Sequence, residues 1–145
     1  MSLWWAFLLC SLALLASSCG NDRANDALPP PPQIVDVQLR EYRFDYAGPI
    51  RPGRTVFRVR NTGRLKHELV LLPLPESLPP IDVQLHSKTR QLLAPLAHLK
   101  PMAPNSGATF AVDLAPGRYA MVCFVKGPHG VPDALKGMSS EFRVR

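Results

Sequence analysis

The first nineteen residues contain no Lys, Arg, Asp or Glu. Leu3 to Ala16 is almost wholly apolar, and Ser17-Ser18-Cys19-Gly20 follows. The run is shorter than the roughly 20 residues of a bilayer-spanning helix. A short apolar core ending in small residues reads instead as a secretory signal. Thiols are scarce too. Of three Cys, Cys10 lies in the apolar leader and Cys19 at its end, so Cys123 has no partner in the rest of the chain. That excludes an internal disulfide downstream of the leader, although exported proteins usually pair their thiols. One leftover thiol points to a reactive, metal-binding or merely buried residue. There is no dense basic run with interleaved aromatics either. The net charge of +6 comes from scattered residues such as Arg40, Arg43, Arg51, Arg54, Arg58, Arg60 and Arg64. This argues against nucleic acid as a partner and leaves an acidic protein or an anionic membrane surface. No paired carboxylates and no Ser-His-Asp arrangement mark a catalytic pocket, and four His are too few for multicopper catalysis. No enzyme is expected.

Residues 20–33 are polar and proline-rich, ending in Pro29-Pro30-Pro31-Pro32. Such a run favours an extended spacer and cannot donate to a β-ladder, so the folded domain is expected over 34–145. Leu15-Ala16-Ser17-Ser18-Cys19-Gly20-Asn21 resembles a bacterial lipoprotein processing site, with Ala16 where that pattern prefers Leu. The resemblance implies a leader over 1–19, lipidation of Cys19, and tethering to a membrane in the periplasm or at the cell surface. A plain cleaved signal is the alternative.

The domain reads as short strands between turn signals. Ile34–Leu39 alternates with period two, and Tyr42, Phe44 and Tyr46 share one face. Thr55–Arg60, His67–Leu72, Ala108–Leu114, Arg118–Val125 and Glu141–Arg145 continue the pattern. Pro73 to Pro104 interrupts it and reads as an insertion with one helical stretch within Ile81–Leu99. Short strands without βαβ alternation predict an all-β sandwich of two antiparallel sheets.

Four residues able to bind a metal occur in order: His67, Cys123, His129 and Met138. His67 starts a strand, and the other three lie on one loop with the spacing C-x5-H-x8-M. Two imidazoles, a thiolate and a weak axial thioether form the ligand set of copper electron-transfer sites. Each residue also has a plainer reading. His67 could be a strand-end histidine, Cys123 a core residue, His129 a solvated turn residue and Met138 packing. His86 and His98 are expected to be exposed, and Met102 and Met121 to pack.

Two segments carry a family resemblance. The first is Phe57-x-Val59-x-Asn61-x-Gly63-x-x-x-His67-Glu68-Leu69-Val70. The second is Leu114-x-Pro116-Gly117-x-Tyr119-x-x-x-Cys123-Phe124, with Gly137-Met138 beyond it. Together they resemble the cupredoxin (plastocyanin/azurin-like) family. The resemblance implies a Greek-key β-sandwich holding one copper ion in a type 1 site. His67 would be the upstream imidazole, Cys123 the thiolate and Met138 the axial ligand. The loop also resembles exported cupredoxin-like proteins reading C-F-x-P-D-x-x-G-x-P-H-x-x-x-G-M. Aligned on Gly130, Pro132 and Gly137-Met138, the histidine of that pattern falls on Asp133. Either His129 or Asp133 would therefore complete the site. Glu68 stands where many members carry Asn or Ser.

The expected function is an exported, membrane-tethered copper protein that passes electrons or copper to a partner protein. The alternative is a cupredoxin-fold envelope binding module without a working copper site, acting through the insertion or a sandwich face.

Overall fold

The computed structural model describes residues 28–145. The expected leader (1–19), the Cys19 lipidation site and the first part of the linker lie outside the described residues. Pro29–Pro32 is exposed and leads into β1 (Gln33–Arg40), which buries Val35, Val37 and Leu39 on one face. This is the period of two that a half-buried strand requires.

β1 turns into β2 (Arg43–Tyr46), where Phe44 is buried and Tyr46 packs against the core. Tyr42 does not share their face. It forms the turn itself, with φ 64°, and is exposed. A tight hairpin needs a left-handed residue, and here the tyrosine supplies it. The chain then passes through Gly48-Pro49 and Pro52-Gly53 to the other side of β1. β3 (Gly53–Asn61) therefore pairs with β1 in parallel, against the all-antiparallel expectation. β6 (Gly107–Leu114) closes this sheet in the order β2-β1-β3-β6.

The second sheet has the order β5-β4-β7-β8, all antiparallel. It is built from β4 (His67–Pro73), β5 (Ala97–Met102), β7 (Gly117–Val122) and β8 (Ser139–Val144). The proline-rich stretch contributes more than an insertion. Its helix is confined to α1 (Ile81–His86), and Leu92, Leu93 and Leu96 fall outside it. Its last part is β5, an edge strand on β4, where Pro101 is tolerated because one side of the strand has no neighbour to serve.

The main core lies between the sheets and includes Leu39, Phe57, Leu69, Leu71, Met121, Cys123 and Met138. Phe57 and Phe110, opposite each other on β3 and β6 of the first sheet, stack at 5.0 Å. A second apolar layer, with Val70, Leu72, Ala120 and Val122 against Ile81, Leu85 and Ala134, covers the outer face of the second sheet. β4 is thus buried on both faces, which explains its unbroken apolar run. After Pro116-Gly117, Tyr119 donates its hydroxyl to the Ala115 carbonyl at 2.9 Å and locks that turn. Met102 and Met121 are core residues, as expected, and no helix among the described residues is long and apolar enough to cross a membrane.

Candidate metal centre

His67 is delivered by a turn that the buried amide of Asn61 organises. Asn61 ends β3 fully buried. Its Nδ2 donates to the carbonyls of Leu65 (2.8 Å) and Met102 (2.9 Å), and its Oδ1 accepts from the Gly63 N–H (3.0 Å). One side chain thereby ties the end of β3, the following turn and β5 together. Space at Gly63 is tight: a Cβ there would lie 2.8 Å from Glu41 Oε1 and 3.1 Å from His67 Nε2, so the Glu41 carboxylate would have to move away. Glu41, at the β1–β2 turn, accepts the backbone N–H groups of Arg64 and Leu65, and these hold its carboxyl below the usual range.

The remaining candidates come from the loop between β7 and β8. Its two ends are laced together: the Cys123 N–H donates to Met138 O (3.1 Å), Ala134 N–H to Cys123 O (2.7 Å), and Met138 N–H to Asp133 O (2.9 Å). Asp133 opens a short 3-10 helix, Asp133–Lys136, which ends on left-handed Gly137 (φ 103°). Beyond this base, Lys126 bridges Pro132, and Gly127 and Val131 close a turn at 3.0 Å. His129 sits exposed on that turn.

The loop and β4 bring His67, Cys123 and Asp133 together. Each offers one ligand atom, and these atoms lie within 4.8 Å of one another. His67 and Cys123 are 0% exposed and Asp133 1%. Met138 is equally buried and is tied by its backbone to both Cys123 and Asp133. His129 is not in this group. His67 Nδ1 stands 3.3 Å from Asp133 Oδ2, yet neither ring nitrogen of His67 has a hydrogen-bond partner, nor has Asp133 Oδ1. Leaving a buried polar atom unpaired costs about 1–3 kcal/mol, so three in one spot is expensive. A nitrogen, a sulfur and a carboxylate oxygen converging with lone pairs unspent is the donor set of a metal site, and these residues fit one.

The surroundings are charged. Lys136 Nζ lies 3.7 Å from Asp133 Oδ1 and 5.2 Å from the centre of the Tyr42 ring. Gly127 leaves room for it, since a Cβ there would meet the ammonium at 2.5 Å. Glu41 Oε1 is 3.8 Å from His67 Nε2. The Glu68 backbone N–H donates to Cys123 Sγ at 3.5 Å. Its carboxylate accepts the Phe124 N–H (2.9 Å) and pairs with His98 Nε2 (2.9 Å). Position 68 thus supports the thiol through its backbone, and its side chain braces the start of the loop. His86 and His98 are exposed as expected, but His98 is anchored to Glu68. Burial pushes the Cys123 thiol up to about 11, partly opposed by the Glu68 N–H and reinforced by the Asp133 charge.

Asn61 stood in the sequence as one position of the N-x-G-x-x-x-H segment with no role of its own, and Glu41 and Lys136 carried no signal at all. Lys136 lies three residues from Asp133 on the same 3-10 helix, whereas only the fold brings Glu41 beside His67.

No family model and no curated protein matches the chain significantly. Solved structures do resemble it. Reduced auracyanin from the photosynthetic bacterium Roseiflexus castenholzii superposes with a TM-score of 0.54 at 19% identity, over 78% of this chain and 97% of that one. Rusticyanin from Thiobacillus ferrooxidans gives 0.54 at 17% identity, over 78% of each chain. Auracyanin A, described as a "blue" copper protein from the green thermophilic photosynthetic bacterium Chloroflexus aurantiacus, gives 0.54 at 16% identity, over 79% and 100%. These likenesses show that the domain has the cupredoxin fold.

Proposed function

We propose, from the cupredoxin fold and the buried cluster at one end of it, that this is an exported, membrane-tethered copper protein. His67, Cys123 and Asp133 would hold one ion, with the Met138 thioether as a further soft donor. The observation that carries the reading is the convergence of imidazole, thiol and carboxylate atoms within 4.8 Å, fully buried and with unpaired atoms on two of the three residues. Auracyanin A, which shares the fold, is a copper protein. Copper would supply a one-electron couple in a place from which water is excluded. The chain's own part is positional. Asn61 fixes the turn before His67, the Glu68 N–H supports the sulfur, and the laced base of the loop keeps Cys123, Asp133 and Met138 in fixed relation. Four protein ligands would leave no open position on the ion for a substrate, which supports a carrier of electrons or copper over an enzyme.

A partner would meet the end of the sandwich where the ligand-bearing segments surface. Exposed apolar residues flank His67, Cys123 and Asp133 in sequence: Leu65 before His67, Phe124 after Cys123, Val131 and Leu135 on either side of Asp133. Lys66 and Lys126 lie beside them. Exposed apolar and basic residues on the ligand-bearing segments suit an acidic redox or copper-exchange partner. Lipidated Cys19 would anchor the opposite end of the sandwich, where Pro29–Pro32 lie beside Arg51 and Arg145, and leave the ligand end free to meet a partner.

The test is anaerobic copper titration followed by visible absorption. One equivalent should bind and give an intense thiolate-to-copper band that Cys123→Ala and Asp133→Ala remove and His129→Ala leaves. A protein that binds no copper sinks the reading. One observation favours the second reading, an envelope binding module. An apolar cavity of about 180 Å³ lies between β4, α1 and the segment after it, lined by Val70, Leu72, Ile81, Leu85, Leu93 and Phe124. Copper-independent capture of a partner, lost on filling that cavity with Leu85→Trp, would support it.

A further inference from the structure

We infer that the Cys123–Asp133 pair makes this centre a binder of divalent copper that gives the ion up on reduction; this rests on the metal-binding reading above. The argument is one of charge. Thiolate and carboxylate each bring one negative charge, and His67 and Met138 bring none. With a divalent ion the four ligands form a neutral unit. With a monovalent ion the same unit carries a net negative charge in a place where His67, Cys123 and Met138 are 0% exposed. Burying an uncompensated charge is costly, so reduction loses more here than in a site of two imidazoles and one thiolate, which becomes neutral on reduction. The carboxylate adds a hard oxygen that suits the divalent ion and not the soft monovalent one.

The neighbouring charges do not reverse this. Lys136, 3.7 Å from Asp133 Oδ1, offsets part of the negative charge, but Glu41, 3.8 Å from His67 Nε2, adds to it on the other side. Glu68 is a further nearby carboxylate, shared with His98. Copper would therefore be loaded as Cu(II). One electron from a small reductant such as ascorbate, itself oxidised, would convert it to Cu(I) and loosen it for transfer to a softer acceptor. The role is redox-gated copper delivery, not steady electron shuttling.

The experiment measures affinities for Cu(II), Cu(I) and Zn(II) by competition with chromophoric chelators, in the wild type, Asp133→His and Asp133→Asn. Zn(II) should bind the wild type, since it forms the same neutral unit. Both variants should lower the Cu(II)-to-Cu(I) affinity ratio by about tenfold or more, because each removes one unit charge beside the ion. Asp133→Asn keeps the shape of the side chain and carries the test if Asp133→His does not fold. Ascorbate should transfer copper from the wild type, but not from Asp133→His, to a Cu(I) chelator. A wild type that holds Cu(I) as tightly as Cu(II), or a ratio unchanged in the variants, overturns the inference while leaving the copper site standing. Failure to bind either ion overturns the reading beneath it.

Discussion

Asn61→Ala removes the amide that joins the end of β3 to the His67 turn and to β5. Three hydrogen bonds go. The Gly63 N–H keeps a partner, because it also donates to Leu39 O at 3.1 Å. The carbonyls of Leu65 and Met102 lose the amide, and the Met102 contact is buried. At about 1–1.5 kcal/mol per lost bond, with an added penalty for the buried carbonyl, the expected loss is about 2–4 kcal/mol. That is a large share of the 5–15 kcal/mol typical of a domain. Urea unfolding of the metal-free protein checks it: the midpoint should fall by roughly 1–2 M with an unchanged slope. Copper affinity should fall as well, since the turn places His67. Thr62→Ala, beside it but exposed, should change neither quantity. A loss below about 0.5 kcal/mol, the range of an ordinary surface substitution, would refute the view that Asn61 organises this end of the sandwich.

Other outcomes follow from the same residues. With its thiol pushed up to about 11, Cys123 of the metal-free protein should resist thiol reagents at pH 8, and denaturant should expose it. The thiol is neutral in both folded and unfolded chains at low pH and ionises first in the unfolded chain. Stability should therefore drop by about 3 kcal/mol between roughly pH 9 and 11, and that drop should be missing in Cys123→Ala. Below that range each copper bound should displace the thiol proton, so affinity rises with pH, as calorimetry in buffers of different ionisation enthalpy would show. Met138→Leu should cost less than about 1.5 kcal/mol, because volume is kept, whereas Met138→Ala should cost about 2–5 kcal/mol by thermal or urea unfolding. His129→Ala, on an exposed turn, should stay within about 0.5 kcal/mol of the parent in the same assay.

Much of the sandwich was legible because its strands obey the period of two: Val35, Val37 and Leu39 turn inward as the alternation predicts. Three features were not. Tyr42 belongs to an aromatic alternation but supplies a left-handed turn. β5 hides among prolines that an edge strand can tolerate. The parallel pairing of β1 with β3 depends on a crossing that no local pattern encodes. At the candidate centre, His67, Cys123 and Met138 could be chosen from residue type and motif, while the choice between His129 and Asp133 could not be made from spacing. The fold places Asp133 within the cluster and leaves His129 outside. The tie from Asn61 to Met102, the approach of Glu41 to His67 and the placing of Lys136 over Tyr42 are contacts between distant segments, which one-dimensional patterns do not carry.

The laced base of the β7–β8 loop has a consequence for how such sequences are measured. The bridge between Lys126 and Pro132 pinches the tip away from the ligands, so the five residues from Gly127 to Val131 hang from a closed stem. Lengthening or shortening that tip would not move Cys123, Asp133 or Met138. The count of residues from the thiol to the next ligand is then a ruler with a slack section in the middle. The tip also becomes a natural place to splice in a short affinity tag or spectroscopic label.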